Sequence, residues 1–402
     1  MKLRSQVYKF LDPIYQKYLT NLTINLFKFL KKGPSRLVDA SSLPKSEDFA
    51  ISYLPDTYKI EQPFPIPFCL PEEIDLENRL KQYQRFADIA KTTEHKIAIV
   101  SLKNVLIEFP SNLHIWQGKV IRDVTTHIRA FFLRNLEDLY LMLKLESILG
   151  SKKTKIEQEC IFILGSFPGN YWHWLVQILP KMRIFDQDPT LKDLPILLPK
   201  DLQPFCKETL EIAGYLDRVI FLENGVYQID KLHVCNSLFT KHPDITYAET
   251  VEWLREKLPK QENFTEKKRR IYISRKDARS RQITNESELE PILEKYGFEI
   301  IALTDFSVEQ KIKFFQQAEI IIGIFGAGMS NLVFATPGSV VIEIFPENMI
   351  KQTYYVISVL LNLKYGFLVG NQDGNGLYVE PEKMEKIIEE SLSRLNTVTT
   401  ST

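Results

Sequence analysis

The chain of 402 residues carries 51 Lys+Arg against 51 Asp+Glu, with 44% hydrophobic and 25% charged residues, an ordinary globular composition. Zero net charge argues against a dedicated nucleic-acid binder, and 25 Phe with 17 Tyr exclude disorder for most of the chain. Four scattered cysteines without a CxxC pair exclude a disulfide scaffold or a Cys-ligated zinc site and fit reduced thiols in a cytosolic setting.

The charge is unevenly spread. Residues 1–32 hold seven basic side chains against Asp12 alone, a surplus of six that leaves a deficit of six over residues 33–402. Val7, Leu11, Ile14, Tyr18, Leu22, Leu26 and Phe29 recur at helical spacing, with a break or kink expected near Pro13. A basic, aromatic-rich amphipathic helix of this kind suits an anionic membrane surface. The alternative is a helix packing its apolar stripe on the main body. No uninterrupted apolar run is long enough to span a membrane, and polar groups interrupt every candidate signal-peptide core.

Residues 33–75 read as a Pro-rich connector, in which PFPIPF (63–68) suits neither a helix interior nor a central strand. Strands are expected at 96–100, 104–109 and 159–165, and a helix from Asn170. Strand, helix, strand and strand follow at 195–199, 201–214, 218–222 and 231–235. The second half alternates more regularly. Strands are expected at 269–275, 298–303, 319–325 and 339–345, and helices at 284–297, 307–318, 351–366 and 381–395. The helix at 284–297 carries a capping-box pattern from Asn285 to Glu288 and ends at Gly297. A tight loop entering a helix is expected over 326–335. Such alternation implies parallel βαβ units with ligands at the carboxyl ends of the strands, in two α/β layers joined near 240–250.

Three segments carry chemistry. In 320–346 a buried strand ends in Gly326-Ala327-Gly328 before a helix start, where backbone can approach a ligand and free N–H groups favour phosphate. Asn331 stands where the dinucleotide fingerprint would need a third glycine, and a packing turn is the competing reading. Glu343, near the carboxyl end of the next apolar strand, must be paired or bound, by sugar hydroxyls or by a nearby arginine. In 272–286, Arg275 ends a strand and Arg281 follows in the loop, placed for bidentate binding of a diphosphate, with Arg279 at the surface. In 165–182, His173 sits among aromatics, either as a general base or as a buried hydrogen-bonded residue. Asp186-Gln187-Asp188 follows a helix, precedes Pro189 and reads as a helix terminus rather than a metal-nucleotide motif. No HExxH, GxSxG or Walker pattern occurs.

Taken in order, NYWHW, YISR…R…NESEL and GAGMSNLVFATPGSVVIEIFP resemble glycosyltransferase family 61, over about residues 95–370. The resemblance implies an α/β, GT-B-like architecture, two Rossmann-like domains facing a cleft. Residues 76–244 would form the acceptor-side domain and 245–380 the nucleotide-sugar domain, with a terminal helix and tail at 381–402. It implies an inverting glycosyltransferase acting on a nucleotide sugar, expected to be UDP-linked, and a glycan or lipid-linked glycan acceptor. No metal or other cofactor is implied. Arg275, Arg281, Gly326, Ala327, Gly328, Asn331 and Glu343 would then bind the donor. His173 would be the catalytic base, with Asp244 second. One departure stands out: the family has a His directly before the GAG, and this chain has Phe325. A catalytically weak or inactive nucleotide-sugar-binding scaffold is the alternative. The expected location is cytoplasmic, peripheral at the inner membrane face if the leader binds lipid.

Overall fold

Two β-sheets organise the chain in the computed structural model, which describes residues 37–38, 49–58, 67–70, 95–110, 112–121, 148–165, 167–235, 246–258, 269–278, 280–346, 349 and 351–396. The basic leader, Asp244, Arg279 and the expected domain junction lie outside the described residues.

The first sheet is built from β1 (Leu37–Val38), β2 (Phe49–Tyr58), β3 (His95–Phe109), β4 (Leu113–Trp116), β5 (Lys119–Ile121), β6 (Lys153–Phe162), β7 (Ile196–Pro199), β8 (Val219–Leu222) and β9 (Gly225–Cys235). Its order is β1-β5-β4-β3-β9-β6-β7-β8, with β2 also on β3. The sheet is mixed: β3 runs antiparallel to β2, β4 and β9, whereas β6 is parallel to β7 and β9. The connector therefore contributes strands, and the two strands expected at 96–100 and 104–109 are one, carried through Asn104 at φ 55°. Strand β6 starts at Lys153, before the apolar run, because β9 supplies ladder partners from Val226 onward to its exposed polar residues.

The helix expected from Asn170 begins with Tyr171 and Trp172 and widens into a π-turn over His173–Ile178, where the Leu179 N–H donates to the Trp174 carbonyl at 2.9 Å. Three α-helices follow in this half: α1 (Lys181–Asp186), which resumes after Pro180, α2 (Pro204–Ile212) and α3 (Ala248–Lys257). Asp186 closes α1 and accepts the Tyr215 hydroxyl. Asp188 accepts the Thr190 N–H and hydroxyl, so this DxD is a helix terminus turned on its own neighbours.

The second sheet comprises β10 (Arg269–Ser274), β11 (Phe298–Ala302), β12 (Ala318–Ile324), β13 (Val340–Pro346), β14 (Lys364–Asp373) and β15 (Gly376–Tyr378). Their order is β11-β10-β12-β13-β14-β15, parallel throughout except for the β14–β15 hairpin. This is a doubly wound order, with its topological switch between β10 and β12. The helices are α4 (Glu286–Lys295), α5 (Val308–Gln317), α6 (Thr353–Leu360) and α7 (Pro381–Asn396).

After the glycine turn the expected helix forms, as a 3-10 helix over Ala327–Phe334. Two expectations are corrected here. The helix at 351–366 stops at Leu360, and Lys364 already pairs with Val340 in the missed strand β14. Asn285 makes no side-chain cap to α4. Its amide instead pairs with both backbone groups of Val379, while the capping box sits at Ser307 and Gln310 on α5. At the other end of α4, Gly297 adopts φ 72° as a helix terminus requires.

One apolar core runs through both sheets, joining Phe162, Trp174 and Leu210 of the first half to Ile273, Leu332 and Tyr355 of the second. The far face of the second sheet has its own core, with Ile322, Ile342 and Leu368 against Leu289 and Ile387. Among the described residues, no helix is long and apolar enough to cross a membrane.

Candidate functional site

Strand β10 ends at Ser274 and β12 at Ile324, so Arg275 and Phe325-Gly326 emerge side by side at the topological switch. That crevice is where open α/β sheets hold ligands. The Arg275 guanidinium lies directly against Gly326. A Cβ on Gly326 would overlap its Nη1 atom, so only glycine leaves room for the cation. Arg275 Nη2 donates to the Ser280 carbonyl at 3.1 Å, and its buried Nε has no partner.

Arg281 is brought to the same place by its backbone. Its φ of 57° is unusual for a non-glycine residue. The loop around it is pinned to the β14–β15 hairpin: Arg281 N–H donates to the Asn375 carbonyl at 3.3 Å, and Leu377 N–H to the Gln282 carbonyl at 2.9 Å. The Arg281 guanidinium sits 5.0 Å from the centre of the Phe325 ring. Burial pulls the pKa of both arginines down, and the neighbouring Arg281 charge lowers Arg275 further. No ion pair to a carboxylate is formed by either side chain among the described residues. The two guanidiniums share a half-buried crevice in which Asp277 acts on Arg275 and Glu343 on Arg281 only through space, an arrangement chemically suited to an anion.

Phe325 fills the position before the glycine turn with apolar contacts. Its ring stacks on Phe345 at 6.0 Å, tilts against Tyr354 at 5.8 Å and supports Arg281 from below. Tyr354, on α6, is buried and donates its hydroxyl to the Gly326 carbonyl at 2.6 Å. That bond fixes the turn, and Ala327 then opens the 3-10 helix, whose first N–H groups have no intrahelical partner. Gly328 packs against Leu303 and Ile273, where a side chain would collide.

Asn331 and Glu343 are placed differently from the arginines. Asn331 is fully buried; its Nδ2 donates to the Gly328 carbonyl at 2.9 Å, and its Oδ1 accepts the Tyr171 hydroxyl at 2.8 Å. It therefore ties the glycine turn to the 170–178 segment. Glu343 is also fully buried, with Oε2 accepting the Tyr365 hydroxyl at 2.6 Å and Oε1 without a partner. Burial holds its pKa well above the usual carboxylate range, against smaller pulls from Tyr365 and Arg281.

His173 lies on the other half. Its Nδ1 is 2.6 Å from the Gln177 Oε1, one turn on. An Nδ1–H donated to that oxygen leaves Nε2 as the basic nitrogen, and Nε2 has no partner among the described residues. The adjacent Trp172 meets the Tyr354 ring edge-on at 5.5 Å, so the imidazole follows directly on the residue that touches the glycine-turn support. Further ties join the halves: Glu208 of α2 accepts the first N–H of α5 at 2.6 Å, and Arg255 of α3 donates to the Val333 and Ala335 carbonyls at 2.9 Å. Tyr354, Tyr365 and Gln177 escaped sequence reasoning. Only Gln177 carried a readable signal, its position four residues after His173 on one helical face.

Among the described residues, no group of three or more His, Cys, Asp or Glu is placed to hold a metal ion. Residues 171–342 match the model of the family described as Glycosyltransferase 61. That segment contains His173, both arginines, the glycine turn and Asn331, and it stops one residue before Glu343. No curated protein sequence matches the chain.

Proposed function

We propose, for a chain that belongs through residues 171–342 to glycosyltransferase family 61, that it moves a sugar from a nucleotide donor to a glycan hydroxyl with inversion at the anomeric carbon. The observation that carries the reading is the pair Arg275 and Arg281 at the switch point, neither of them ion-paired to a carboxylate among the described residues, closed by the Gly326 turn. The doubly wound order of the second sheet supports a donor domain of the GT-B kind, with the first sheet as the acceptor side.

In this reading the donor diphosphate, taken as that of a UDP-sugar, lies between the two guanidiniums and the N–H groups that open the 3-10 helix. As the bond from the anomeric carbon to the diphosphate breaks, its electron pair goes to the phosphate oxygen, and the arginines offset that growing charge. His173 Nε2 takes the proton of the acceptor hydroxyl, whose oxygen attacks from the opposite face. Asn331 and Glu343 hold the turn and its support rather than the donor. No metal is needed in this scheme, because the guanidiniums supply the positive charge.

The test is a donor screen that measures nucleoside diphosphate release, with Phe325→His beside wild type. Release of UDP from one UDP-sugar, accelerated by an acceptor, is expected. Folded protein that turns over no donor in either form would overturn the enzyme and leave a binding scaffold.

The leader of residues 1–32 is proposed as a tether to an anionic membrane surface, each basic residue near such a surface being worth about 1 kcal/mol. Removing it should abolish sedimentation with phosphatidylserine vesicles and spare UDP binding. Unchanged sedimentation would make it a packing element instead.

A further inference from the structure

Phe167 is the most exposed large hydrophobic among the described residues, with 51% of its surface in water. Its backbone sits at φ 56°, a region aromatic residues avoid and glycine fills readily. The segment is nevertheless held firmly on both sides. Ile163 and Leu164 are fully buried before it. After it, Asn170 N–H donates to the Phe167 carbonyl at 2.9 Å, and the Asn170 side chain accepts the Trp172 N–H at 2.9 Å. The Pro168 carbonyl accepts the Cys206 thiol at 3.7 Å. An exposed ring at a strained position contributes nothing to the core, and it is the strain together with its place beside His173 that calls for a function.

Among the described residues the ring has one aromatic neighbour, and it is the candidate base. The Phe167 and His173 centroids lie 5.3 Å apart with planes inclined at 37°. Nδ1 of that imidazole is occupied by Gln177, which leaves Nε2 without a partner among the described residues, on a ring beside the exposed phenyl.

We propose that Phe167 is the acceptor platform of this site: a pyranose ring lies with its C–H face on the phenyl and presents a hydroxyl to His173 Nε2. The negative face of an aromatic ring attracts polarised C–H bonds, and a phenyl matches one face of a pyranose in size. The inference rests on the glycosyltransferase reading and sharpens it. The acceptor is a pyranoside recognised through an apolar face, rather than a serine, threonine or lipid hydroxyl. The transfer balances: the acceptor O–H proton goes to Nε2, the new bond forms from that oxygen to the anomeric carbon, and the diphosphate leaves with the electron pair.

The test uses the full chain saturated with UDP and a panel of methyl α- and β-pyranosides of glucose, galactose, mannose and N-acetylglucosamine, read by saturation-transfer NMR. Wild type and Phe167→Trp are expected to bind at least one of them, with saturation concentrated on the C–H groups of one ring face. Phe167→Gly, which suits the left-handed backbone, should keep the thermal midpoint and bind that pyranoside roughly tenfold more weakly. UDP affinity should agree among the three proteins within about twofold. Equal pyranoside binding by wild type and Phe167→Gly would overturn the proposal, as would UDP binding without binding of any pyranoside. Absence of UDP binding by wild type would instead overturn the functional reading beneath it.

Discussion

Glu343 pairs across the sheet with Gly323 and Phe367 and has no exposed surface, so its ionisation is a property of the fold. Burial raises its pKa well above the ordinary 4.5, and Tyr365 and Arg281 only partly oppose that rise. The folded chain therefore holds the proton more tightly than the unfolded chain. Its contribution to stability is complete below the unfolded value and is lost as pH rises through the folded one. Glu343→Gln keeps the shape and cannot ionise. Its melting temperature should gain on wild type by at least about 2 °C between roughly pH 5 and pH 8. A difference that stays flat across that range would mean a carboxylate in the fold. At Gly326 the expected change is in binding: Gly326→Ala pushes the Arg275 guanidinium aside and should weaken UDP by about tenfold or more in calorimetry, with the fold kept. Unchanged affinity would remove this pair from the donor site. Arg275 and Gly326 were legible in the sequence because strand ends and glycine turns are local signals. The raised pKa of Glu343 comes from its burial beside β14, a strand that the sequence did not reveal.

Helix starts show how local signals compete with tertiary contacts. Asn285 with Glu288 and Ser307 with Gln310 both carry the pattern of a capping box, yet only the second forms one. At α4 the Asn285 amide finds a better use, since it satisfies both backbone groups of Val379 across the edge of the sheet. At α5 nothing competes, and Glu208 adds a further acceptor at the Val308 N–H. Ser307→Ala should therefore cost about 1 kcal/mol in urea unfolding, whereas the Asn285→Ala cost should exceed it by leaving Val379 unpaired in the interior. Equal costs would show that the Val379 pairing carries little. Strand β14 was hidden by composition: the apolar run from Tyr354 to Val369 is broken only by Ser358, Asn362, Lys364 and Gly366, and periodicity does not separate a buried helix from a buried strand. The helix expected after Gly326 is present, and its 3-10 form was not legible: the segment is mostly buried, and Gly328 packs closely on Leu303.

At the scale of the molecule, the two sheets behave as one folding unit in their contacts. Trp174 and Leu210 share a core with Ile273 and Leu332, and the polar ties between Glu208 and Val308, Tyr171 and Asn331, and Arg255 and Val333 all cross between the halves. The sequence carried two α/β layers but no sign of this fusion, because the contacts join residues about 80 to 160 positions apart. A continuous core makes separation of the sheets costly, since each large apolar side chain exposed loses about 1.5–3 kcal/mol. Unfolding in urea should then appear as one transition, with far-UV circular dichroism and tryptophan fluorescence coincident. Trp172, Trp174 and Trp253 report the first half and its junction, while α4 to α7 carry the second half's share of the dichroism. Two separated transitions, with the dichroism lost apart from the fluorescence, would mean that the halves fold independently and that the shared core is a docking interface.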